Sequence, residues 1–369
     1  MPGMINRMIV SNLRRRPMRS LVSVLAVAIE VILILMVVGL VNGMINDQRA
    51  RVHGIGADII VYSGSGSIIT QLTGNTLPLK MGEVFARVPG VEAVAPVAYM
   101  LNQATQTIGG VNLEQFRAVS GGFRFLHGHA FQPDSHEMIV DDLEAASRHY
   151  HIGEQVELLG QTFTLTGIFE HGMGSRTFVP LQTLDKLAGS PNRAATFYIK
   201  VTPGVPVATV VERLRKLAPA VKVDSLQQYL SLFTANTISP VIDVFQRVIV
   251  GIAMAIGFLV IFLSLYTTVL ERTREIGILK ALGASRSYIV KVILRESELL
   301  AIVGIVAGVI LAYGLWRFLE YAYPTLSMQM SWPWVIYAAA VSLVSSALGA
   351  LYPAVKAAGQ DAIAALAYE

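Results

Sequence analysis

The chain has 369 residues, of which 53% are hydrophobic and only 15% are charged, and its mean hydropathy is +0.55. Soluble domains carry about 25% charged residues, so this composition indicates a membrane protein. The net charge of +4 is better explained by basic edges on the cytoplasmic side of a membrane than by nucleic-acid binding, and the absence of cysteine excludes disulfides and cysteine-ligated metal sites.

The first part of the chain combines a basic start with a long apolar run. Residues 1–20, with the stretch MINRMIVSNLRRRPMRS, predict a short amphipathic helix in the cytoplasmic membrane interface. Residues 21–43 are apolar over a length that can cross a bilayer, which takes about 20 residues. This run is too long for a signal peptide and no small-residue cleavage site follows it, so we expect an uncleaved signal anchor.

Glu30 is the one formal charge in the middle of this first span. A charge in the bilayer costs at least a few kcal/mol, so such a residue usually faces a partner or a wet cavity. Two interpretations stand side by side. Glu30 is either an intramembrane polar contact, to another helix, a subunit or a substrate, or a protonated or snorkelling side chain without a special role.

Residues 44–240 have an ordinary soluble composition and predict a large α+β extracytoplasmic domain. Both ends of this segment have a strand, helix, strand pattern. The first is ADIIVYSG, KMGEVFARVPG and VEAVAPVAYM, and the second is ATFYIKVTPG, VATVVERLRKLAP and AVKVDSL. We therefore expect two β-α-β units in one core, bracketing a β-rich insert at about 121–193 in which GEQVELLGQTFTLTGIFEHG alternates like a hairpin.

All seven histidines lie in this domain. The pairs His127/His129 and His149/His151 have a spacing that would suit a metal, but a third ligand is not defined. The alternative, which we favour, is that they are solvated loop and helix-end residues.

GSGS at Gly64–Ser67 opens no helix and predicts a flexible loop. With no P-loop, nucleophile elbow or zinc-binding helix motif in the sequence, we expect no catalytic residue, no metal and no cofactor in this chain.

Three further apolar runs follow, at residues 241–270, 299–319 and 333–355. The third run contains GIVAG at Gly304–Gly308, a small-xxx-small pattern that predicts close helix packing. The expected fold class is a membrane protein with an α-helical four-span bundle and a large α+β extracytoplasmic domain.

The basic residues set the expected orientation. They cluster before the first span and in the loop at 271–298, whereas the short loop at 320–332 has no Lys or Arg. By the positive-inside rule, both termini, the loop at 271–298 and the tail at 356–369 are cytoplasmic, and the loop at 320–332 is external.

The loop between the second and third spans contains ERTREIGILKALGASRSYIVK, Glu271–Lys291. Glu271, Arg274 and Glu275 fall on one helical face, and Ile276, Leu279 and Lys280 follow with the same periodicity. Gly283 is placed as a helix stop and Ser285 as the cap of the next helix. A rigid amphipathic element of this kind suits docking into a groove on a cytoplasmic partner, the alternative being a plain basic loop.

This stretch resembles the cytoplasmic loop and third span of MacB/FtsX-type ABC transporter permeases, which carry E-R-x-x-E-I-G-x-x-x-A-x-G-A. The matching residues are Glu271, Arg272, Glu275, Ile276, Gly277, Ala281, Gly283 and Ala284. The C-terminal stretch resembles the closing pattern of the family through Pro353, Ala354, Ala357, Ala365 and Leu366. The start, NLRRRPMRSLVSVLAVAIEV, resembles the first span, although the family usually has glycine where Glu30 stands.

The resemblance implies a permease of the mechanotransmission class, DevC-like or LolC-like, in the bacterial cytoplasmic (inner) membrane. It would form a dimer with a second permease copy, identical or related, and work with a separate ABC ATPase subunit that binds ATP-Mg. A periplasmic adaptor and an outer-membrane duct are further implied partners, beside the lipid membrane. The residues implied in ATPase coupling are Glu271, Arg272, Arg274, Glu275, Ile276, Gly277, Leu279, Lys280, Ala281, Gly283 and Ala284.

The function expected from the resemblance is export or extraction of an envelope substrate, driven by motion that the partner ATPase generates. The alternatives are an FtsX-like regulator that activates a cell-wall hydrolase and a LolC/LolE-like machine that extracts lipoproteins or lipids. A membrane-anchored binding or sensor module without an ATPase is a third class.

Overall fold

The computed structural model describes residues 17–63, 77–102, 106–189, 192–232 and 239–360. Most of the predicted amphipathic helix at 1–20, the GSGS loop and the tail beyond Gln360 lie outside these residues. The chain divides into two compact units. A membrane unit takes in the chain up to Gly43, Ile242–Tyr321 and the chain from Met328, and an extracytoplasmic unit takes in Met44–Val241 and Ala322–Ser327.

The described helices are α1 (Pro17–Gly54), α2 (Lys80–Ala86), α3 (Leu113–Ser120), α4 (Asp142–Arg148), α5 (Leu181–Leu187), α6 (Val207–Leu217), α7 (Leu226–Leu232), α8 (Ser239–Glu271), α9 (Thr273–Ala281), α10 (Arg286–Ala322) and α11 (Trp332–Gly359). The described strands are β1 (Ile59–Ser63), β2 (Leu77–Pro78), β3 (Val91–Leu101), β4 (Thr107–Val111), β5 (Phe125–Gly128), β6 (Glu137–Asp141), β7 (Gln155–Leu158), β8 (Gln161–Phe169), β9 (Thr177–Pro180), β10 (Arg193–Ala194), β11 (Thr196–Val201) and β12 (Val221–Ser225).

Four helices of the described chain, α1, α8, α10 and α11, are long and apolar enough to cross a membrane. This confirms the expected four-span class. Two of them run well beyond the apolar segment predicted from the sequence. The first helix continues without a break past residue 43 to Gly54, and α10 begins at Arg286 rather than near residue 299.

Within the membrane unit, α10 packs closely against α1 through its small residues. A Cβ on Gly304 would lie 2.6 Å from the Cβ of Val27, and one on Gly308 would lie 2.8 Å from the Cβ of Val31. Both distances are far below normal contact, so only glycine lets the two helices come this close. The close packing predicted from GIVAG is confirmed.

The extracytoplasmic unit is built on one ten-stranded mixed sheet among the residues that the structure describes. Its order is β12-β1-β11-β3-β4-β9-β6-β8-β5, with β7 paired to β8. The two predicted β-α-β units share one core as expected, but their strands alternate because β1 lies between β12 and β11. Helix α6 covers this end of the sheet with Val210, Val211 and Leu214, all buried.

The β-rich insert continues this sheet. Strand β9 pairs with β4 in parallel and with β6 in antiparallel orientation, so the insert joins the core in the middle of the sheet. The predicted hairpin is present as β7 and β8. Phe116, Phe169 and Phe178 are all about 1% exposed in the cluster that joins the two parts.

Candidate functional site

Helix α9, Thr273–Ala281, lies within the predicted loop stretch Glu271–Lys291 and has a defined end. Gly283 has a φ of +91°, a conformation that favours glycine. Its N–H donates to the carbonyl oxygen of Lys280 and the N–H of Ala284 donates to that of Leu279, both at 3.0 Å. These two bonds form a Schellman motif, which satisfies carbonyl groups at the helix end. The Ser285 hydroxyl accepts from the Tyr288 N–H at 3.3 Å, so the predicted stop and cap are both present.

One side of α9 is part of the membrane unit's own core. Ile276 is 8% exposed and belongs to a cluster with Ile289 and Ile293, and Gly277 is also buried. The sequence placed Ile276 and Gly277 among residues for coupling to an ATPase. Both residues are buried in the core of the membrane unit, and their role in ATPase coupling stays a prediction.

The other side of α9 is exposed and carries apolar side chains. Ile278 is 45% exposed and Leu282 is 79% exposed. With the exposed Arg274, they stand four residues apart and make one stripe, which we call the α9 stripe. Sequence reasoning missed Ile278 and Leu282, although their four-residue spacing from Arg274 was a readable signal. The exposed members of the predicted set are Glu271, Arg274, Glu275, Ala281 and Gly283.

Two basic residues of the predicted set bind other parts of the same chain. The Lys280 ammonium donates to the carbonyl oxygen of Ala358 at 3.0 Å and to that of Gln360, at the end of α11. A cation there interacts favourably with the negative end of the helix dipole. Arg272 donates to the carboxylate of Glu275 at 2.8 Å, and its Nη1 lies 3.6 Å from Oε2 of Glu296 on α10. These contacts hold α9 to α10 and α11.

The second candidate, Glu30, lies inside the helix bundle and is 1% exposed. Its carboxyl group fills the space that Gly257 on α8 leaves open, since a Cβ there would lie 2.0 Å from Glu30 Oε2. It also faces the hydroxyls of Ser342 and Ser345 on α11, but neither carboxyl oxygen has a hydrogen bond of good geometry among the described residues. Of the alternatives raised by the sequence, this geometry supports a contact between helices.

The histidine pairs considered as metal ligands, His127/His129 and His149/His151, lie within the described part of the chain. In the ranges that the structure describes, no group of three or more His, Cys, Asp or Glu side chains is arranged to hold a metal ion. His149 is the left-handed residue that ends α4, and its ring Nδ1 lies 2.9 Å from the Ala146 carbonyl oxygen. His171 hydrogen-bonds to Asp142 at 3.0 Å.

Two family models cover most of the chain. Residues 20–217 match the MacB-like periplasmic core domain, which is more than half of the chain, and residues 247–362 match the FtsX-like permease C-terminal domain. The chain belongs to the MacB/FtsX-type family of ABC transporter permeases. The extracytoplasmic unit of this permease is thus its MacB-like domain, and α8 to α11 form its FtsX-like part.

Individual relatives align with different shares of the permease. A macrolide export ATP-binding/permease protein MacB of Acinetobacter baylyi is 25% identical over 400 aligned residues, which cover 98% of this chain and 59% of that protein. The pyoverdine export ATP-binding/permease protein PvdT of Pseudomonas savastanoi is 37% identical over 136 residues, covering 37% of this chain and 20% of that protein. The permease therefore spans about three fifths of the length of the first of these relatives.

Among solved structures, the periplasmic region of MacB from Actinobacillus actinomycetemcomitans covers 50% of this chain at 14% identity, with a TM-score of 0.39. The chain covers 97% of that structure.

Proposed function

We propose that this permease transmits ATP-driven motion from a separate ABC ATPase subunit to its extracytoplasmic domain, and so exports or extracts an envelope substrate. The observation that carries the proposal is the α9 stripe. Leu282 is 79% exposed on a helix whose other side is fixed to the core. A large apolar side chain held in that position is typical of a helix that docks into a groove on a partner.

The attachment of α9 is what makes it suited to receive a force. A helix that docks on a moving ATPase transmits displacement only if its own chain holds it firmly. Lys280 bonds the end of α11, and Arg272 lies against Glu296 of α10. A push on the α9 stripe would therefore act on two long helices of the bundle.

In this scheme the permease binds no cofactor and catalyses no reaction itself, and the ATPase subunit binds ATP-Mg. The α9 segment and both termini lie in the cytoplasm, with the permease in the cytoplasmic membrane of a bacterium as a dimer with an identical or related copy. The names of the MacB and PvdT relatives describe export, which supports export as the class of process. A periplasmic adaptor and an outer-membrane duct complete the assembly in an organism with two membranes.

The proposal is tested by ATP hydrolysis of the ATPase subunit with and without the permease in nanodiscs. We expect Leu282→Glu to abolish most of the stimulation by the permease, because it puts a charge into an apolar contact. Combined charge reversal at Glu275 and replacement of Gly283 by Val should do the same by changing the shape of the helix end. The matched control is Leu217→Glu, which changes another exposed leucine, 49% exposed, on the extracytoplasmic unit. Unchanged stimulation by the Leu282 variant would overturn the docking role of α9.

The partner set is tested by purifying the detergent-solubilised permease from its own cells and identifying bound proteins by mass spectrometry. An ABC ATPase together with a periplasmic adaptor supports export. An ATPase together with a cell-wall hydrolase replaces export by hydrolase regulation as in the FtsX-like alternative. Recovery of the permease without any ATPase contradicts the proposal.

A further inference from the structure

The last turns of α1 touch one turn of the extracytoplasmic domain at several points. Asp47, Arg51 and Gly54 are spaced four and three residues apart, so they share one face of the helix. The N–H of Gly174 donates to the carbonyl oxygen of Arg51 at 2.8 Å. A Cβ on Gly54 would lie 1.9 Å from the carbonyl oxygen of Gly172, so the two backbones are in direct contact.

Arg176 completes this junction with its guanidinium group. Its Nη2 donates to Oδ2 of Asp47 at 3.2 Å, and its Nη1 donates to Oδ2 of Asp141 at 3.0 Å. Nη2 also donates to the carbonyl oxygen of Thr325 at 3.3 Å. The three acceptors belong to α1, to the end of β6 and to the loop between α10 and α11. A guanidinium group suits this task because its donors point in fixed directions and stay charged.

The Arg176 side chain is only 13% exposed, so these contacts are shielded from water and salt. Asp141 is 1% exposed and is held further by two bonds. Its side chain accepts from the Glu144 N–H at 2.7 Å, and its own N–H donates to the Arg176 carbonyl oxygen at 2.8 Å. Burial raises the pKa of Asp141 to about 6 although the adjacent Arg176 acts in the opposite direction.

The position of Arg176 in the fold connects the junction to the middle of the sheet. It directly precedes β9, which pairs with β4 on one side and β6 on the other. Strand β9 is also where the insert joins the rest of the sheet. A displacement applied to Arg176 therefore enters the sheet at its centre.

We propose that Arg176 is the positioning residue that makes the last turns of α1, from Met44 to Gly54, and the extracytoplasmic sheet move as one body. Asp47 lies on the same unbroken helix as the first span, so displacement of that span reaches Asp47, then Arg176, then β9. Through Thr325 the loop that follows α10 moves with them. This inference rests on the proposed function, since it names the residues through which the transmitted motion enters the domain.

The test uses the full chain, whose sequence contains no cysteine. Met44→Cys on α1 and Ile152→Cys in the insert provide two spin-label sites, because these side chains are 58% and 45% exposed. Pulsed electron paramagnetic resonance then measures the distance between them in nanodiscs, with labelled chain diluted by unlabelled chain. We expect one narrow distribution in the parent chain, unchanged when the ATPase subunit and ATP-Mg are added.

The informative variants are Asp47→Asn and Arg176→Gln. Both should broaden the distance distribution by several ångströms without ATP and make it shift when ATP-Mg is added with the ATPase. Asp47→Asn leaves the Arg176–Asp141 pair in place, so the domain should still unfold at the parent temperature. A broadened distance distribution in such a folded variant is then due to loss of the Asp47–Arg176 contact and not to a general loss of folding. The matched control is Arg124→Gln, which removes the 78% exposed partner of Glu170 in the same insert and should resemble the parent.

Distributions of Asp47→Asn and Arg176→Gln that superpose on the parent in both states would overturn the inference. The measurement without ATP needs no partner, so it tests the junction even if the proposed function fails. If the ATPase subunit does not bind the parent permease, the transmission role is contradicted while the distances without ATP still decide whether Arg176 holds α1 to the sheet.

Discussion

Gly257 leaves open the space that the carboxyl group of Glu30 occupies, because a Cβ on Gly257 would lie 2.0 Å from Glu30 Oε2. The two residues belong to α8 and α1, and both are inside the helix bundle. The fit explains how the bundle accommodates a large polar side chain on the first span.

This fit predicts that Gly257→Ala destabilises the bundle. Overpacking of this kind costs about 1–3 kcal/mol, and the measurement is the thermal unfolding midpoint of the chain in detergent. Gly251→Ala is the control on the same helix, since a Cβ there meets nothing within 4 Å. Glu30→Ala should relieve the clash, so the double variant Glu30→Ala, Gly257→Ala should be more stable than the sum of the single effects allows. Strict additivity would contradict the proposed steric pairing.

The contact between α10 and α1 gives a second prediction. Gly304→Ala should lower the unfolding free energy by about 1–3 kcal/mol, because the new methyl group would force Val27 and its helix away. Gly314→Ala on the same helix has open space around its Cβ and should stabilise by up to about 1 kcal/mol through helix propensity. Equal effects of the two substitutions, measured by thermal unfolding in one detergent, would show that α10 does not depend on this contact.

Lys280 should stabilise the end of α11 through its two carbonyl contacts. Lys280→Met keeps most of the side-chain length but removes the donor, and hydrogen bonds to charged groups contribute about 1.5–3 kcal/mol. We expect faster hydrogen exchange of the amides near Ala357 and a lower unfolding midpoint. Lys291→Met is the matched control, because Lys291 is an exposed lysine of the same segment. Exchange rates near Ala357 that are the same in both variants would argue against stabilisation of the end of α11 by Lys280.

Asp185 predicts a specific pH dependence of the extracytoplasmic unit. Burial raises the pKa of Asp185 to about 6 from the 3.8 of an exposed aspartate, although the N–H groups of Asn192 and Arg193 favour its ionised form. The folded state therefore binds a proton more tightly than the unfolded state. The contribution of protonated Asp185 to the free energy of unfolding is present below about pH 4 and is lost as the pH rises through about 6.

Asp185→Asn should remove this dependence, so that the stability of the variant relative to the parent rises between pH 4 and pH 7 by up to about 3 kcal/mol, the value for a shift of about two pKa units. The measurement is the unfolding midpoint of both proteins over that range. Asp134→Asn, at an exposed site with a surface ion pair, is the control and should leave the profile nearly unchanged. Parallel profiles of unfolding midpoint against pH for the parent and Asp185→Asn would contradict the raised pKa of Asp185.

The parts of the fold that local sequence controls could be predicted. Four long apolar runs specify four spans, Gly283 and Ser285 specify the end of one helix and the start of the next, and GIVAG specifies a close helix contact. Each of these signals acts over a few residues, so no knowledge of the rest of the chain is needed.

The parts that depend on distant neighbours could not be predicted. Periodicity placed Ile276 on the exposed α9 segment, whereas Ile289 and Ile293 of α10 bury it. The parallel pairing of β4 with β9 joins segments that no local pattern connects. Arg176 carries no signal at all, since its partners Asp47 and Asp141 are separated from it by 129 and 35 positions.

The unbroken length of α1 has a mechanical consequence. Its 38 residues span about 57 Å at 1.5 Å per residue, roughly twice the hydrocarbon thickness of a bilayer. A tilt of about 5° at one end of such a rod carries the other end through about 5 Å, whereas a hydrogen bond is lost once its atoms separate by about 1 Å more than usual. The hydrogen bonds at the far end of α1 therefore cannot stretch to follow its tilt. Either the domain moves with the helix, or these hydrogen bonds break at a very small tilt angle.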